Sequence, residues 1–294
     1  MGHAGQVATV TFAHLTDAGR VRTRNEDCHG AFEPPDPELL RSRGRLFVVA
    51  DGMGGHERGD VASRLAVETV RDTYYDARRT EPLPDGLRVA VRIANEVVYR
   101  ESRLTASETP MGTTLTALVI RDSDAFLAHV GDSRAFLVRG RQIHQLTEDH
   151  SLVAELVRGG VLSATEAEHH PSAHVILRAL GLSEDVTIEV QGPLPLRRGD
   201  TLVLCTDGLT RTVRPHEIRR LAGSRSPRRS CERLVSLANE RGGPDNITLQ
   251  LIRFGAHRLL PASLLPFHVW WGLNILSRRV RPRPEQPLNG GSQR

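Results

Sequence analysis

Short apolar runs rich in β-branched residues alternate along the chain with stretches whose apolar positions recur at helical spacing. Residues 46–50 form a continuous apolar run of the length of a buried strand. Residues 61–79 and 86–103 have helical periodicity, carried by Val61, Leu65, Val67 and Val70 in the first and by Leu87, Val91, Ile93 and Val97 in the second. Only Pro82, Pro84 and Gly86 punctuate the join. So short a connection predicts an antiparallel helix pair lying on one face of a sheet. Residues 114–120, 125–130, 135–139 and 142–146 then read as four short strands. The links at 121–124, at Gly131-Asp132-Ser133 and at Gly140 have turn chemistry, which predicts an antiparallel meander.

Residues 148–176 are more polar, with short helical pieces broken at His169-His170-Pro171. They predict an excursion from the sheet. Strand patterns return at 186–190, 201–205 and 247–252, and helical patterns lie at 215–221 and 230–240. No internal repeat is present. The order of elements predicts an α+β fold, an α-β-β-α sandwich of two antiparallel sheets with helices outside. One twisted sheet fits the periodicity nearly as well.

Composition changes this picture little. The chain has 294 residues, 39% hydrophobic and 25% charged, as ordinary globular proteins do. Aromatics make up only 4%, so the core must come from Val, Leu, Ile and Ala. Lysine is absent and all 39 basic residues are Arg, which base composition of the genome explains. The net charge of +4 is mild, and its basic excess gathers near the C-terminus at Arg278, Arg279, Arg281 and Arg283. Charges elsewhere are mixed, so no nucleic-acid footprint is expected. Cys28, Cys205 and Cys231 fit neither a zinc site nor a disulfide framework. Reduced thiols and a cytoplasmic location are expected, and the first residues have no secretory pattern.

The informative feature is the placement of aspartates. The run 46–50 ends in Asp51-Gly52, the strand at 125–130 in Gly131-Asp132, and the strand at 201–205 leads through Thr206 to Asp207-Gly208. Asp245-Asn246 sits just before the strand at 247–252, and Asn25-Glu26-Asp27 adds an acidic pair near the start. Any one Asp-Gly after a strand is an ordinary turn. Several on one edge would repel each other without a cation. A hard divalent ion resolves this, because Mg²⁺ and Mn²⁺ favour oxygen ligands. Glycine at position 52 also lets a backbone carbonyl approach a metal. Arg22 supplies the complementary charge, since a planar guanidinium binds two phosphate oxygens at once.

These segments resemble, in order, the motifs of the PPM (PP2C-like) family of metal-dependent serine/threonine protein phosphatases, in its bacterial form. The residues that carry the likeness are 16–27, with Arg22 and Asn25-Glu26-Asp27; Ala50-Asp51-Gly52-Met53-Gly54-Gly55-His56; Met111-Gly112-Thr113-Thr114; and Val130-Gly131-Asp132-Ser133-Arg134. Leu146 to Ser151, Arg178-Ala179-Leu180-Gly181, Cys205-Thr206-Asp207-Gly208-Leu209 and residues 242–248 complete the series. Each motif alone is weak, whereas all of them in order are specific.

The resemblance implies a catalytic domain over residues 1–254, with 148–178 as a flap beside the site, and a tail over 255–294. It implies that Asp51 bridges two central Mn²⁺ or Mg²⁺ ions, with the Gly52 carbonyl on one of them. Asp207 and Asp245 would complete that centre, Asp27 would act through bound water, and Glu26 would support it. Asp132 would help hold a third, weaker ion. Arg22 would bind the substrate phosphate, and Asn246 would orient a water or a phosphate oxygen. The implied reaction is direct attack by metal-activated water on phosphoserine or phosphothreonine, with no phosphoenzyme and no role for Cys205 as a nucleophile.

Two departures stand out. Met53 occupies the place where many eukaryotic members carry a histidine, leaving His56 as a candidate for assisting the leaving group. Thr206 replaces a more usual serine. The implied partners are phosphorylated proteins, with a bacterial Ser/Thr kinase and its substrates. The alternative is a pseudophosphatase that binds phosphoproteins without turnover, which predicts lost ligands. In the tail, Trp270 and Trp271 followed by arginines suggest a peripheral membrane anchor. Unclean amphipathicity favours instead a tail that packs on the domain or binds a partner, and Pro282 onward reads as disordered.

Overall fold

The computed structural model describes residues 9–53, 58–104, 110–223 and 226–255. In chain order the first elements are β1 (Val10–Asp17), β2 (Cys28–Phe32), α1 (Pro37–Arg43), β3 (Arg45–Ala50), β4 (Gly52–Met53), α2 (Gly59–Tyr74) and α3 (Leu83–Leu104). There follow β5 (Gly112–Thr113), β6 (Leu115–Arg121), β7 (Asp124–Val130), β8 (Arg134–Arg139), β9 (Gln142–Gln145), α4 (Leu152–Arg158) and α5 (Ala164–Glu168). The last are β10 (Glu189–Pro195), β11 (Thr201–Cys205), α6 (Asp207–Thr210), α7 (Pro215–Ala222), α8 (Pro227–Glu240) and β12 (Ile247–Phe254).

Two five-stranded antiparallel sheets result, with orders β1-β12-β11-β8-β9 and β10-β7-β6-β3-β2, besides the small pair β4-β5. The α+β sandwich expected from the sequence is therefore the fold. Helices α2 and α3 pair with each other and cover the sheet that contains β3, while α7 and α8 cover the other. In α3 the buried residues Leu87, Ala90, Val91, Ala94 and Val98 recur at helical spacing and form the face that meets β7 and β10. Strands β3, β6 and β11 lie between the facing sheet and a helix layer, so both their faces are apolar and almost every residue is buried.

Gln250 of β12 fastens one sheet to the other. Its buried Nε2 donates to the carbonyls of Gly30 (2.9 Å) and Val48 (2.6 Å), on β2 and β3. On the same seam Phe12 of β1 meets Phe47 of β3 edge-on at 5.2 Å.

The structure corrects the expected meander. β6 pairs with β7 and β8 pairs with β9, but β7 and β8 lie in different sheets. The link Gly131-Asp132-Ser133 is thus a crossing between layers, not a hairpin turn. Gly131 takes φ +112°, and a Cβ there would fall on the Thr114 side chain. Periodicity could not distinguish the two, because both use turn residues. The helix expected over 61–79 is α2, which stops at Tyr74, and the strand expected at 186–190 is β10, shifted to Glu189–Pro195. Strands β1 and β2 were not expected, because their half-exposed edge positions mix polar and apolar residues. The tail after residue 255 lies outside the described residues, as does His56.

Candidate active site

The expected carboxylates gather where the two sheets meet at one end. Asp51 follows β3, Asp132 lies on the crossing from β7 to β8, Asp207 opens α6 after β11, and Asp245 precedes β12. Asp27 joins them from the segment before β2.

Asp51 and Asp27 are held through backbone or side chain by buried polar groups. The Asp51 N–H donates to Thr114 Oγ1 (3.0 Å), and its carbonyl accepts from Thr114 N (2.9 Å) and Thr113 Oγ1 (2.9 Å). Thr114 Oγ1 in turn meets Ser133 Oγ at 2.7 Å, beside Asp132. The motifs 112–114 and 131–133 are thus one brace under Asp51 and Asp132. Thr206 Oγ1 donates to Asp27 Oδ2 (2.9 Å) and accepts from Thr248 N (3.0 Å), while Thr248 Oγ1 meets Thr16 Oγ1 at 2.7 Å. The hydroxyl is what this network uses, so Thr at position 206 serves as Ser would. The bracing role of these threonines escaped the sequence reading, because a Thr at a strand end does not say which distant group it will bond.

Gly52 is packed under the cleft. A Cβ there would run into the carbonyl oxygens of Gly59 and Glu26, so only glycine fits. The Glu26 carboxylate accepts from Gly59 N–H at the start of α2, a helix end with no other side-chain cap, and the Glu26 carbonyl accepts from Ser63 Oγ at 2.6 Å. Glu26 therefore fixes the loop that presents Asp27.

The electrostatics of the cleft are those of crowded anions. Burial, with Asp207 and Asp245 adding to it, pushes Asp27 up to about 7. Burial, followed by the charges of Asp207 and Asp149, does the same to Asp132, also up to about 7. Asp51 is raised well above the carboxylate range by burial and then by Asp27, Asp207, Asp132 and Asp245. Arg22 and Arg211 answer part of this charge by direct pairing. Arg22, about half exposed, grips Asp245 with Nε–Oδ1 at 2.9 Å and Nη2–Oδ2 at 3.0 Å. Arg211 reaches Asp207 Oδ2 (2.6 Å) and Asp245 Oδ2 (3.1 Å). The sequence reading missed Arg211, one arginine among 39. Its spacing of four from Asp207 across a helical turn was the available signal.

Among the described residues no three His, Cys, Asp or Glu side chains close around one point at ligand spacing. Even so, Asp27 Oδ1, Asp132 Oδ1 and Asp207 Oδ1 are buried with no hydrogen-bond partner. Buried carboxylate oxygens without partners are costly unless neutralised. Their number and hard oxygen chemistry fit divalent cations such as Mg²⁺ or Mn²⁺.

Asn246 is tied to the loop that precedes β2. Its Oδ1 accepts from Glu26 N (2.9 Å), and its Nδ2 donates to the carbonyls of Ala18 (3.0 Å) and Arg24 (2.8 Å). With both amide protons committed and only 6% of the residue exposed, it has no donor left for phosphate. It locks the loop that carries Arg22 and Asp27 onto the start of β12. Cys205 is buried, and burial pushes its thiol up to about 12, so it is inert as a nucleophile.

Beside the acidic cleft lies a cavity of about 830 Å³. One wall is Asp132, Asp207 and Arg211, and the other is the segment with α4 and α5. That segment is rooted by the His150 N–H on the Gly131 carbonyl (2.8 Å) and by the Gly131 N–H on His150 Nδ1 (3.0 Å). Arg134 holds Asp149 through two nitrogens, the shorter contact being Nη2–Oδ2 at 2.6 Å.

Comparison with known proteins places this architecture. The profile of the family described as Protein phosphatase 2C matches residues 26–251. The serine/threonine phosphatase stp of Listeria monocytogenes is 40% identical over 243 residues, 81% of this chain and 93% of that protein. The serine/threonine phosphatase Stp1 of Staphylococcus aureus superposes with a TM-score of 0.77 at 29% identity, covering 87% of this chain and 99% of that one. The catalytic domain of the serine/threonine protein phosphatase PstP, solved with two manganese ions, superposes with a TM-score of 0.71 at 32% identity, over 85% of this chain and all of that one. The chain belongs to the protein phosphatase 2C family, the bacterial PPM phosphatases. It is a protein-serine/threonine phosphatase. Among the described residues no helix is long and apolar enough to cross a membrane.

Proposed function

We propose that this chain hydrolyses phosphoserine and phosphothreonine in cytoplasmic proteins and opposes a Ser/Thr kinase, with residues 1–254 as the catalytic domain. The observation that carries the site assignment is the set of buried carboxylate oxygens without partners at the mouth between the sheets.

Asp51, Asp207 and Asp245 would hold two divalent cations, with the Gly52 carbonyl and Asp27 contributing, and Asp132 would hold a third more weakly. The two manganese ions of PstP support this reading. When bound, such cations supply an activated water and neutralise charge on a phosphoryl group. The protein's own part is to place and balance. The threonine braces keep Asp51 and Asp27 from relaxing apart. Arg22, exposed at the rim, offers a planar fork to two phosphate oxygens, and its grip on Asp245 orients the guanidinium beforehand. The cavity beside α4 and α5 gives room for the protein segment flanking the phosphorylated residue. A binding-only protein would be expected to have lost these carboxylates, whereas all of them are present.

The test is hydrolysis of a phosphothreonine peptide with Mn²⁺, with Mg²⁺ and with chelator. Turnover should require the metal and fall by about a thousandfold in Asp207→Asn. A folded, metal-loaded wild type without turnover would reject the enzyme reading.

A further inference from the structure

Arg211 lies one residue beyond α6 and bridges two carboxylates that arrive from different strands. Its Nη2 is 2.6 Å from Asp207 Oδ2 and its Nη1 is 3.1 Å from Asp245 Oδ2. Arg22 also holds Asp245, from the rim. Arg211 is the deeper of the two, at 38% side-chain exposure against 53%. It faces the cavity that also contains Asp132. Burial works against its charge, yet Asp207, Asp245 and Asp132 outweigh burial and hold its pKa above the ordinary arginine value.

The contacted oxygens belong to the same two carboxylates that would ligate a divalent ion. A guanidinium and a dication on one pair of carboxylates repel each other. The arginine can leave, because its side chain is long, part-exposed and next to open volume.

We propose that Arg211 is an internal counter-cation, which neutralises Asp207 and Asp245 in the metal-free protein and competes with divalent ions for them, so setting how tightly the cleft takes up metal. The inference rests on the reading of the cleft as a metal site. It makes Arg211 a positioning residue, acting through the carboxylates.

The experiment is calorimetric titration of Mn²⁺ into the chelator-stripped full chain, for wild type, Arg211→Gln and Arg211→Lys. A unit charge within roughly 6 Å of a dication in a water-like dielectric changes affinity by about tenfold. Arg211→Gln should therefore bind Mn²⁺ about tenfold more tightly, while Arg211→Lys, which keeps the charge, should stay within about threefold of wild type. Melting of the metal-free proteins should show Arg211→Gln as the less stable, and saturating Mn²⁺ should close the gap. Equal or weaker Mn²⁺ affinity in Arg211→Gln overturns the proposal and leaves the metal site standing. Failure of the wild type to bind Mn²⁺ at all overturns both.

Discussion

The two walls of the cleft are built on opposite principles. One wall is the set of strand ends that present Asp27, Asp51, Asp132 and Asp207. It is fixed by hydroxyl and amide groups with little or no exposure, such as Thr114, Ser133, Thr206, Thr248 and Asn246. The other is the segment with α4 and α5, in which neither helix has a buried residue. That wall is held at its root by His150 and Arg134 and otherwise by exposed ion pairs, Arg158 with Glu148 (2.9 Å) near the root and Arg214 with Glu168 (2.5 Å) at the far side. The difference teaches where each kind of interaction is used. Satisfied buried polar groups fix atoms that must not move. Exposed ion pairs contribute little and can be exchanged for contacts with a bound peptide.

The largest break in this contrast is the loss of a carboxylate from the rigid wall, the Asp207→Asn collapse of turnover described above. Next comes Asn246→Ala. It leaves the Glu26 N–H and the Ala18 and Arg24 carbonyls without their buried partner, and should cost about 4 kcal/mol in urea unfolding. Mn²⁺ affinity should weaken with it, since the loop bearing Asp27 loses its lock. An unfolding midpoint equal to wild type would show that the loop is held otherwise.

A smaller effect sharpens the comparison at the root of the second wall. His129 is fully enclosed, with Nδ1 on Thr116 Oγ1 (2.9 Å) and Nε2 on the Glu148 carbonyl (3.0 Å). Burial, followed by the nearby His150, pushes it down to about 4. In the unfolded chain it titrates near 6.5. Between these values the unfolded state binds a proton that the folded state refuses. The stabilisation is therefore whole above about pH 6.5 and is lost as the pH falls toward about 4. His129→Gln should reduce the stability difference between pH about 7.5 and about 4.5 by about 2 kcal/mol, measured by denaturant titration. An unchanged pH profile would remove His129 as a cause of acid lability.

The smallest effect is at the far side. Arg214→Gln should leave the melting temperature where it is, because the pair is exposed. It should change KM for a phosphopeptide by about threefold, with kcat nearly constant. A large fall in melting temperature would mean that this wall is as rigid as the first.

Much of this was legible in the chain because the signal was local. A buried strand followed by Asp-Gly is visible as text, and so Asp51 and Asp207 were found, as were Asp132 and Asp245 by their strand-edge positions. The helical faces of α2 and α3 followed from apolar spacing. The sequence by itself determined which residues prefer strand, which face of each helix is apolar, and which carboxylates stand at strand ends. These depend on neighbours within a few residues.

Tertiary structure decided the rest. It alone placed β7 and β8 in different sheets, because a turn sequence does not say which layer the next strand joins. It made Asn246 a brace, because its three partners lie far off in sequence, at residues 18, 24 and 26. It set Arg211 between Asp207 and Asp245, which are 38 positions apart. Long-range contacts cost loop closure and are chosen by the packing of the whole. No local pattern encodes which distant atom will fill a given bond.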